Sequence, residues 1–387
     1  MDRRSFLMGA AGLGGAVLLG ACGSSGSSGG NNPSSTTKRP PIGKEPGKLS
    51  ILEWDGYQAF GTPTNKKAGG LIAGEDYTKK YGADGLTYSL IVNDSEALNK
   101  VRSGQQFDVI HPCIENLQDY VHDGLVQPWN TDLIPSFKNL NPALVKGGQL
   151  DGQQYFIPWD WGYGSVIYRT DKVDPADATG WELFWNPKYK GRISMWNGNT
   201  TNFEIAALKL GYGGKAMDHL SDDQLNNAKN ALIEQYPLNK FLWSSEYSDL
   251  QPALQNGDVW VAYSWQDQWV YAKEKHLPMA YMNPSQGRLG WYCGFMLGKD
   301  TKNYYHAHEY VESFVNHKSC LSLTNLFAYG SADATIEPSE ITNKAVAKSL
   351  DIGNPNVLGS ADVHLQSWEP NEAAVQQAWE EVTASAG

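Results

Sequence analysis

This chain of 387 residues is poor in cysteine, in positive charge and in long apolar runs. Four cysteines occur, Cys22, Cys113, Cys293 and Cys320. None forms a Cys-x-x-Cys pair or a His/Cys metal spacing, so neither a disulfide framework nor a metal module is indicated. Lys and Arg number 31 against 42 Asp and Glu, a formal net charge of −11. That balance argues against nucleic acid as a partner and suits a cationic one. Beyond Cys22 no apolar run approaches the ~20 residues of a spanning helix. Gly-x-Ser-x-Gly, His-Glu-x-x-His and an acid pair of defined spacing are all missing, so no catalytic residue and no cofactor is called for. His306-x-His308-Glu309 has the look of a metal motif, but positions i and i+2 of a helix point apart.

Aromatics are what the chain has in excess, with 14 Trp and 20 Tyr. Several of the Trp stand beside Gly or an acid, outside apolar runs. In Leu49–Tyr57 the apolar Leu49, Ile51 and Leu52 read as a strand, which breaks into Trp54-Asp55-Gly56-Tyr57. Ligands of α/β proteins sit at the carboxyl ends of strands, so two aromatics around a carboxylate there make a wall for a small cation. Similar clusters end other expected strands: Trp196 with Asn197, Trp265 with Asp267, and Trp291 with Cys293.

The N-terminus reads as an address. Arg3-Arg4-Ser5-Phe6-Leu7 has twin-arginine spacing, the run Leu7 to Ala21 is short and Gly-rich, and Leu19-Gly20-Ala21-Cys22 matches a lipobox. The expectation is an export signal over 1–22, cleaved before Cys22, with lipidation of that thiol. Residues 23–47 are Gly, Ser, Asn, Thr and Pro with almost nothing apolar, the composition of a flexible tether. Such a protein is held by its N-terminal lipid without spanning, on the periplasmic or cell-surface side of the cytoplasmic membrane.

The remaining body is longer than one core usually serves, so two lobes are expected. Strand Leu86–Val92, helix Ser95–Ser103 and strand Phe107–Ile110, stopped by His111-Pro112, spell a mainly parallel sheet covered by helices. Tyr155–Tyr168 is long enough to cross between lobes, and Leu289–Leu297 reads as a second crossing. Asn197–Thr201 reads as a strand-ending loop before an amphipathic helix over Phe203–Gly211. Ala307, Tyr310, Val311, Phe314 and Val315 share one helix face.

Several landmarks follow one another along the chain: Trp54-x-x-Tyr57, Phe107-Asp108-Val109-Ile110-His111-Pro112, Gly124-Leu125-Val126-Gln127 and Ile157-Pro158-Trp159-Asp160-Trp161-Gly162. Trp181-Glu182-Leu183-Phe184, Pro187-Lys188-Tyr189-Lys190-Gly191, Leu208-Lys209-Leu210-Gly211-Tyr212, Trp265, Trp291, Tyr329 and Trp368 follow. In these pieces, across the mature body, the chain resembles the spermidine/putrescine-type substrate-binding proteins of ABC importers. The resemblance implies an α/β, two-lobed periplasmic-binding-protein fold of type II with a hinged cleft. Lobe 1 would comprise 48–163 plus 291–335, and lobe 2 would comprise 164–290 plus 336–387. It also implies an ABC permease and its ATPase as partners, a monomer, and neither cofactor nor metal.

By the same resemblance, Trp54, Tyr57, Trp265, Trp291 and Tyr329 match positions whose aromatics box the ligand, each face gaining roughly 0.5–2 kcal/mol over a cation. Trp196 and Asn197 belong to the expected lining. The family's amine-gripping acids fall at Gly198, Thr201 and Cys293, none of which is a carboxylate. A buried ammonium without an acid is costly, so replacements are expected at Asp55, Glu115 and Glu369, with Asp267 a weaker candidate. Cys113 and Cys293 both fall at lining positions of one lobe, either as a disulfide or as two small apolar wall residues.

The leading reading is a lipid-anchored receptor that captures a polyamine or related small amine by lobe closure. The same fold could serve a zwitterionic or quaternary amine such as a betaine, opine or amino acid. A sugar would suit the uncharged Trp196-Asn197-Gly198-Asn199. A secreted glycan hydrolase is the remote alternative, since Trp platforms also serve glycosidases, but it lacks the spaced acid pair.

Overall fold

The structure, a computed structural model, describes residues 44–54, 57, 74–91, 93–213, 219–243, 249–354, 356–360, 363–367 and 372–385. Seven strands carry its frame: β1 (Leu49–Trp54), β2 (Leu86–Ile91), β3 (Val109–Ile110), β4 (Phe156–Arg169), β5 (Ile193–Ser194), β6 (Val261–Trp265) and β7 (Arg288–Gly298). They run in the order β2-β1-β3-β7-β4-β6-β5 within one mixed sheet. β1 pairs parallel with β2 and β3, and helix Asp94–Arg102 makes the crossover. That helix starts where the Asn93 side chain accepts the Glu96 N–H, with acids in its first turn and Lys100 and Arg102 in its last. At the other end β5 and β6 are again parallel.

Two long strands join these ends. β4 and β7 pair antiparallel from Phe156↔Met296 to Gly164↔Leu289. Pro158 is tolerated inside this central pair because the register shifts there, Asp160 facing Cys293 and Pro158 facing Gly294. One apolar core gathers Ile51, Leu52, Val109, Phe156, Trp159, Phe295, Tyr310 and Phe314. The other gathers Val166, Trp181, Phe203, Trp243, Val261, Leu289 and Trp379. β4 therefore leaves the first core near Tyr163 and enters the second at Val166, and β7 runs back from Leu289 to Leu297. This is a two-lobed α/β architecture whose only sheet is shared, among the described residues, by both lobes apart from a short hairpin at Gln149–Gln154.

Two segments differ from the sequence reading. The helix expected over Phe203–Gly211 spans Asn199–Lys209, so Asn199, Thr200 and Thr201 form its first turn instead of a loop. Asn202 brings this about, its amide donating to the carbonyls of Trp196 and Gly198 at 2.8 and 2.6 Å and tying the turn to the strand end. The segment from 336 to 363, expected with lobe 2, buries Ile336, Ile341, Val346 and Leu350 in the first core. Its entry is already docked there, since the Ala332 N–H donates to the Trp159 carbonyl at 2.7 Å. The closing helix Glu372–Ala384 does bury Val375, Trp379 and Val382 in the second core. Among the described residues no helix is long and apolar enough to cross a membrane.

Candidate functional site

The ends of β1, β3, β5 and β6 and the middle of β4 and β7 open onto one cavity of about 660 Å³. Trp54, Tyr57, Cys113, Glu115, Trp291, Cys293 and Tyr329 border it from the first lobe, and Trp196, Asn197 and Trp265 from the second. Asp55, Glu369 and the lipobox Cys22 lie outside the described residues. Cys113 and Cys293 form a disulfide that staples the loop after β3 to β7, so of the two readings of this pair the structure has the covalent one. Cys320 is free and buried.

Each wall carries its own aromatic cluster. On the first, Tyr57 stacks on Phe327 with ring centroids 5.1 Å apart, and Trp291 meets Tyr329 edge to face at 4.8 Å. On the second, Trp196 and Trp265 lie at 4.3 Å, both against the fully buried Trp243. Between them Asp160, Gly162 and Gly164 occupy alternate positions of β4 and so share one face. Glycine is required at 162, where a Cβ would come within 2.6 Å of the Trp291 ring. The Trp291 indole can lie across the strand for that reason.

Beneath Tyr57 sits a buried polar cluster. The Tyr57 hydroxyl donates to Asp160 Oδ2 at 2.8 Å, and His111 Nε2 is 3.3 Å from Asp160 Oδ1. His111 Nδ1 faces Glu53 Oε1 at 2.5 Å, and the Trp54 N–H donates to the same oxygen at 2.8 Å. Glu53 and His111 are fully buried and Asp160 is 1% exposed. Burial by itself would push the His111 imidazolium down, but the attraction of Glu53 and hydrogen bonds to Asp160 and Glu53 raise it to about 10. Burial raises the Glu53 carboxyl, against the pull of His111. The Tyr57 phenol is pushed up by burial and by the neighbouring Asp160 charge, so its ring stays neutral. Of the other acids on the cavity, Asp94 accepts the Cys113 N–H at 2.7 Å and Asp267 accepts the Gln268 amide at 2.8 Å.

The family model for bacterial extracellular solute-binding proteins matches residues 73–348. The chain belongs to that family. Among curated relatives of this solute-binding protein, the spermidine/putrescine-binding periplasmic protein of Escherichia coli K12 is 24% identical over 231 residues, 59% of this chain and 64% of the relative. The match therefore spans somewhat under two thirds of that relative's length. The putrescine-binding periplasmic protein PotF of the same organism is 23% identical over 342 residues, 84% of this chain and 86% of the relative. The solved structure of the periplasmic binding protein MotA from A. tumefaciens B6, in complex with glucopine, superposes with a TM-score of 0.67 at 18% identity. It covers 87% of this chain and 99% of that one, so the fold is the two-lobed one of periplasmic binding proteins. These relatives are binding proteins and not enzymes.

Sequence reasoning about this solute-binding protein passed over Glu53, His111 and Asp160. A signal was there: Glu53 follows Ile51-Leu52, and Asp160 stands between Trp159 and Trp161 in a run that reads as a buried strand. Charged residues are almost never fully buried unless paired, so two acids at such positions mark a cluster. What the sequence does not carry is that β1, β3 and β4 bring them to one point. The motif His306-x-His308-Glu309 ends as structure, His306 bonding Tyr77 and His308 bonding the Tyr304 carbonyl and the Asn130 N–H.

Proposed function

We propose that this chain is the solute-capturing component of an ABC importer, exported and held by a lipid on Cys22 at the outer face of the cytoplasmic membrane, and that its solute is a polyamine or related small amine. The observation that carries the reading is the convergence of aromatic faces from both lobes, Trp54, Tyr57 and Trp291 against Trp196 and Trp265, on a cavity that acids also border. Ammonium groups and their methylene chains are what such faces hold. Capture proceeds by rotation of the lobes about β4 and β7, a hinge motion with no chemistry, and a permease and ATPase take delivery. The relatives named for polyamine binding support the same solute class.

A second reading, a zwitterionic amine, is favoured by one feature. Where the family's amine-gripping acids are expected, the second wall presents the uncharged Gly198, Asn199, Thr200 and Thr201, which suits a carboxylate better than an ammonium. Calorimetry of the purified chain against putrescine, spermidine, choline, betaine, a basic amino acid and a disaccharide separates the two. Tight polyamine binding is the expected result; binding of betaine or the amino acid alone moves the assignment to the second reading. Heat with the disaccharide alone sinks the amine reading. The anchor has its own check: in a bacterial host the chain should partition into detergent with membrane lipoproteins, and Cys22→Ser should leave it in the aqueous phase.

A further inference from the structure

The carboxylate best placed to meet a cation is none of those expected from the sequence. Asp160 lies at the middle of β4, on the face that borders the cavity, and is buried between two donors, the Tyr57 hydroxyl and His111 Nε2. Its neighbours do not cancel its charge. Counted as two carboxylates and the imidazolium that both of them favour, the three groups offset only one of the two acids. Neither Glu53 nor Asp160 has a Lys or Arg partner among the described residues. The cluster thus holds one net negative charge in a low-dielectric position, which is costly while unmatched. The open space beside it is the cavity, and the rings bordering that space, Trp54, Tyr57 and Trp291, are cation-binding faces.

Tyr57 links the two. By donating its hydroxyl to Asp160 it fixes the plane of its ring, which also stacks on Phe327, and it carries the negative field of the carboxylate to the cavity surface. Glu115 and Asp267 also border the cavity, but both are partly exposed, so water and salt weaken them more than a charge held in the floor. We propose that Asp160 is the counter-charge that selects and seats the ligand's ammonium group beneath Trp54 and Trp291, with Tyr57, His111 and Glu53 as the residues that position it. This rests on the amine reading above and names the group that decides it.

The test is calorimetry of the full chain with putrescine, spermidine, choline and betaine, for wild type, Asp160→Asn and His111→Gln, with folding followed by circular dichroism. Asp160→Asn should lower the affinity of every amine that the wild type binds by at least about tenfold. His111→Gln keeps an amide donor toward Asp160 while removing one of the groups that position it, so it should lower the affinity by clearly less than Asp160→Asn does. A merely structural cluster predicts equal losses in both variants, and that result overturns the proposal, as does undiminished binding by Asp160→Asn. If Asp160→Asn does not fold, the wild type decides through salt. A buried anchor predicts less than about a threefold loss between ~0.05 and ~0.5 M salt, and a tenfold loss assigns the charge to the exposed acids and overturns the proposal. A wild type that binds none of the four amines overturns the amine reading and the anchor together, and is told apart from failure of the anchor alone by that first titration.

Discussion

The two walls of the cleft share aromatics and differ in charge. The first-lobe wall sets Trp54, Tyr57 and Trp291 over a buried cluster of two carboxylates and a histidine, pinned by the Cys113–Cys293 disulfide. The second-lobe wall sets Trp196 and Trp265 against Trp243, with amides and hydroxyls beside them and the partly exposed Asp267 at its edge. A net buried charge in a preformed pocket is a strong, directional recognition element because low dielectric amplifies it. Flat rings tolerate many guests. On the proposed function, the asymmetry assigns selection to the first wall and closure over the ligand to the second.

Removing the staple tests whether the selecting wall needs it. The double variant Cys113→Ser/Cys293→Ser is expected to lose about 2–4 kcal/mol of stability by urea denaturation, the usual worth of a native disulfide. Its amine affinity should fall while Trp196 and Trp265 keep their fluorescence, since the second wall does not touch the bond. An unchanged midpoint would show that the wall is rigid without it. Next in size is Gly162→Val, which drives a side chain into the Trp291 ring. Overpacking of this kind costs about 1–3 kcal/mol, and near-ultraviolet dichroism should show Trp291 displaced; an intact signal with wild-type affinity contradicts the flat-floor account.

The pH dependence of stability follows from His111. Its value in the folded chain, about 10, lies above the ~6.5 of an unfolded histidine. The folded state therefore keeps a proton that the unfolded chain releases, a stabilisation fully present below ~6.5 and lost as pH rises toward 10. The melting temperature should decline over that window, and His111→Gln should flatten the decline; identical slopes for the two proteins would mean that His111 carries no extra proton. The smallest effect belongs to the second wall. Asp267→Asn should change amine affinity by less than about threefold, as befits a screened charge. A loss as large as that of Asp160→Asn would erase the difference between the walls.

Much of this could be read from the residues. The strand–helix–strand opening, the two long crossings and the aromatic strand ends are local patterns, and period and turn chemistry express them directly. The first turn of helix Asn199–Lys209 was not legible, because its polar residues have no apolar periodicity and are drawn into the helix by Asn202 bonding back to Trp196 and Gly198. The allegiance of 336–363 was not legible either, because a chain segment joins whichever core its entry point is already docked against.

The aromatic excess, the acidic balance, the uncharged residues at Gly198, Thr201 and Cys293 and the lipobox are properties of the chain itself, and the proposals of an amine guest and a lipid anchor start from them. Which acids are buried together against the cavity was decided by tertiary structure alone. Glu53 and Asp160 lie on two strands and His111 just past the end of a third, and only the parallel pairing of β1 with β3 and the antiparallel pairing of β7 with both β3 and β4 bring them within hydrogen-bond reach. Proximity of residues far apart in the chain is paid for by the packing of the whole first core, and no local pattern records it.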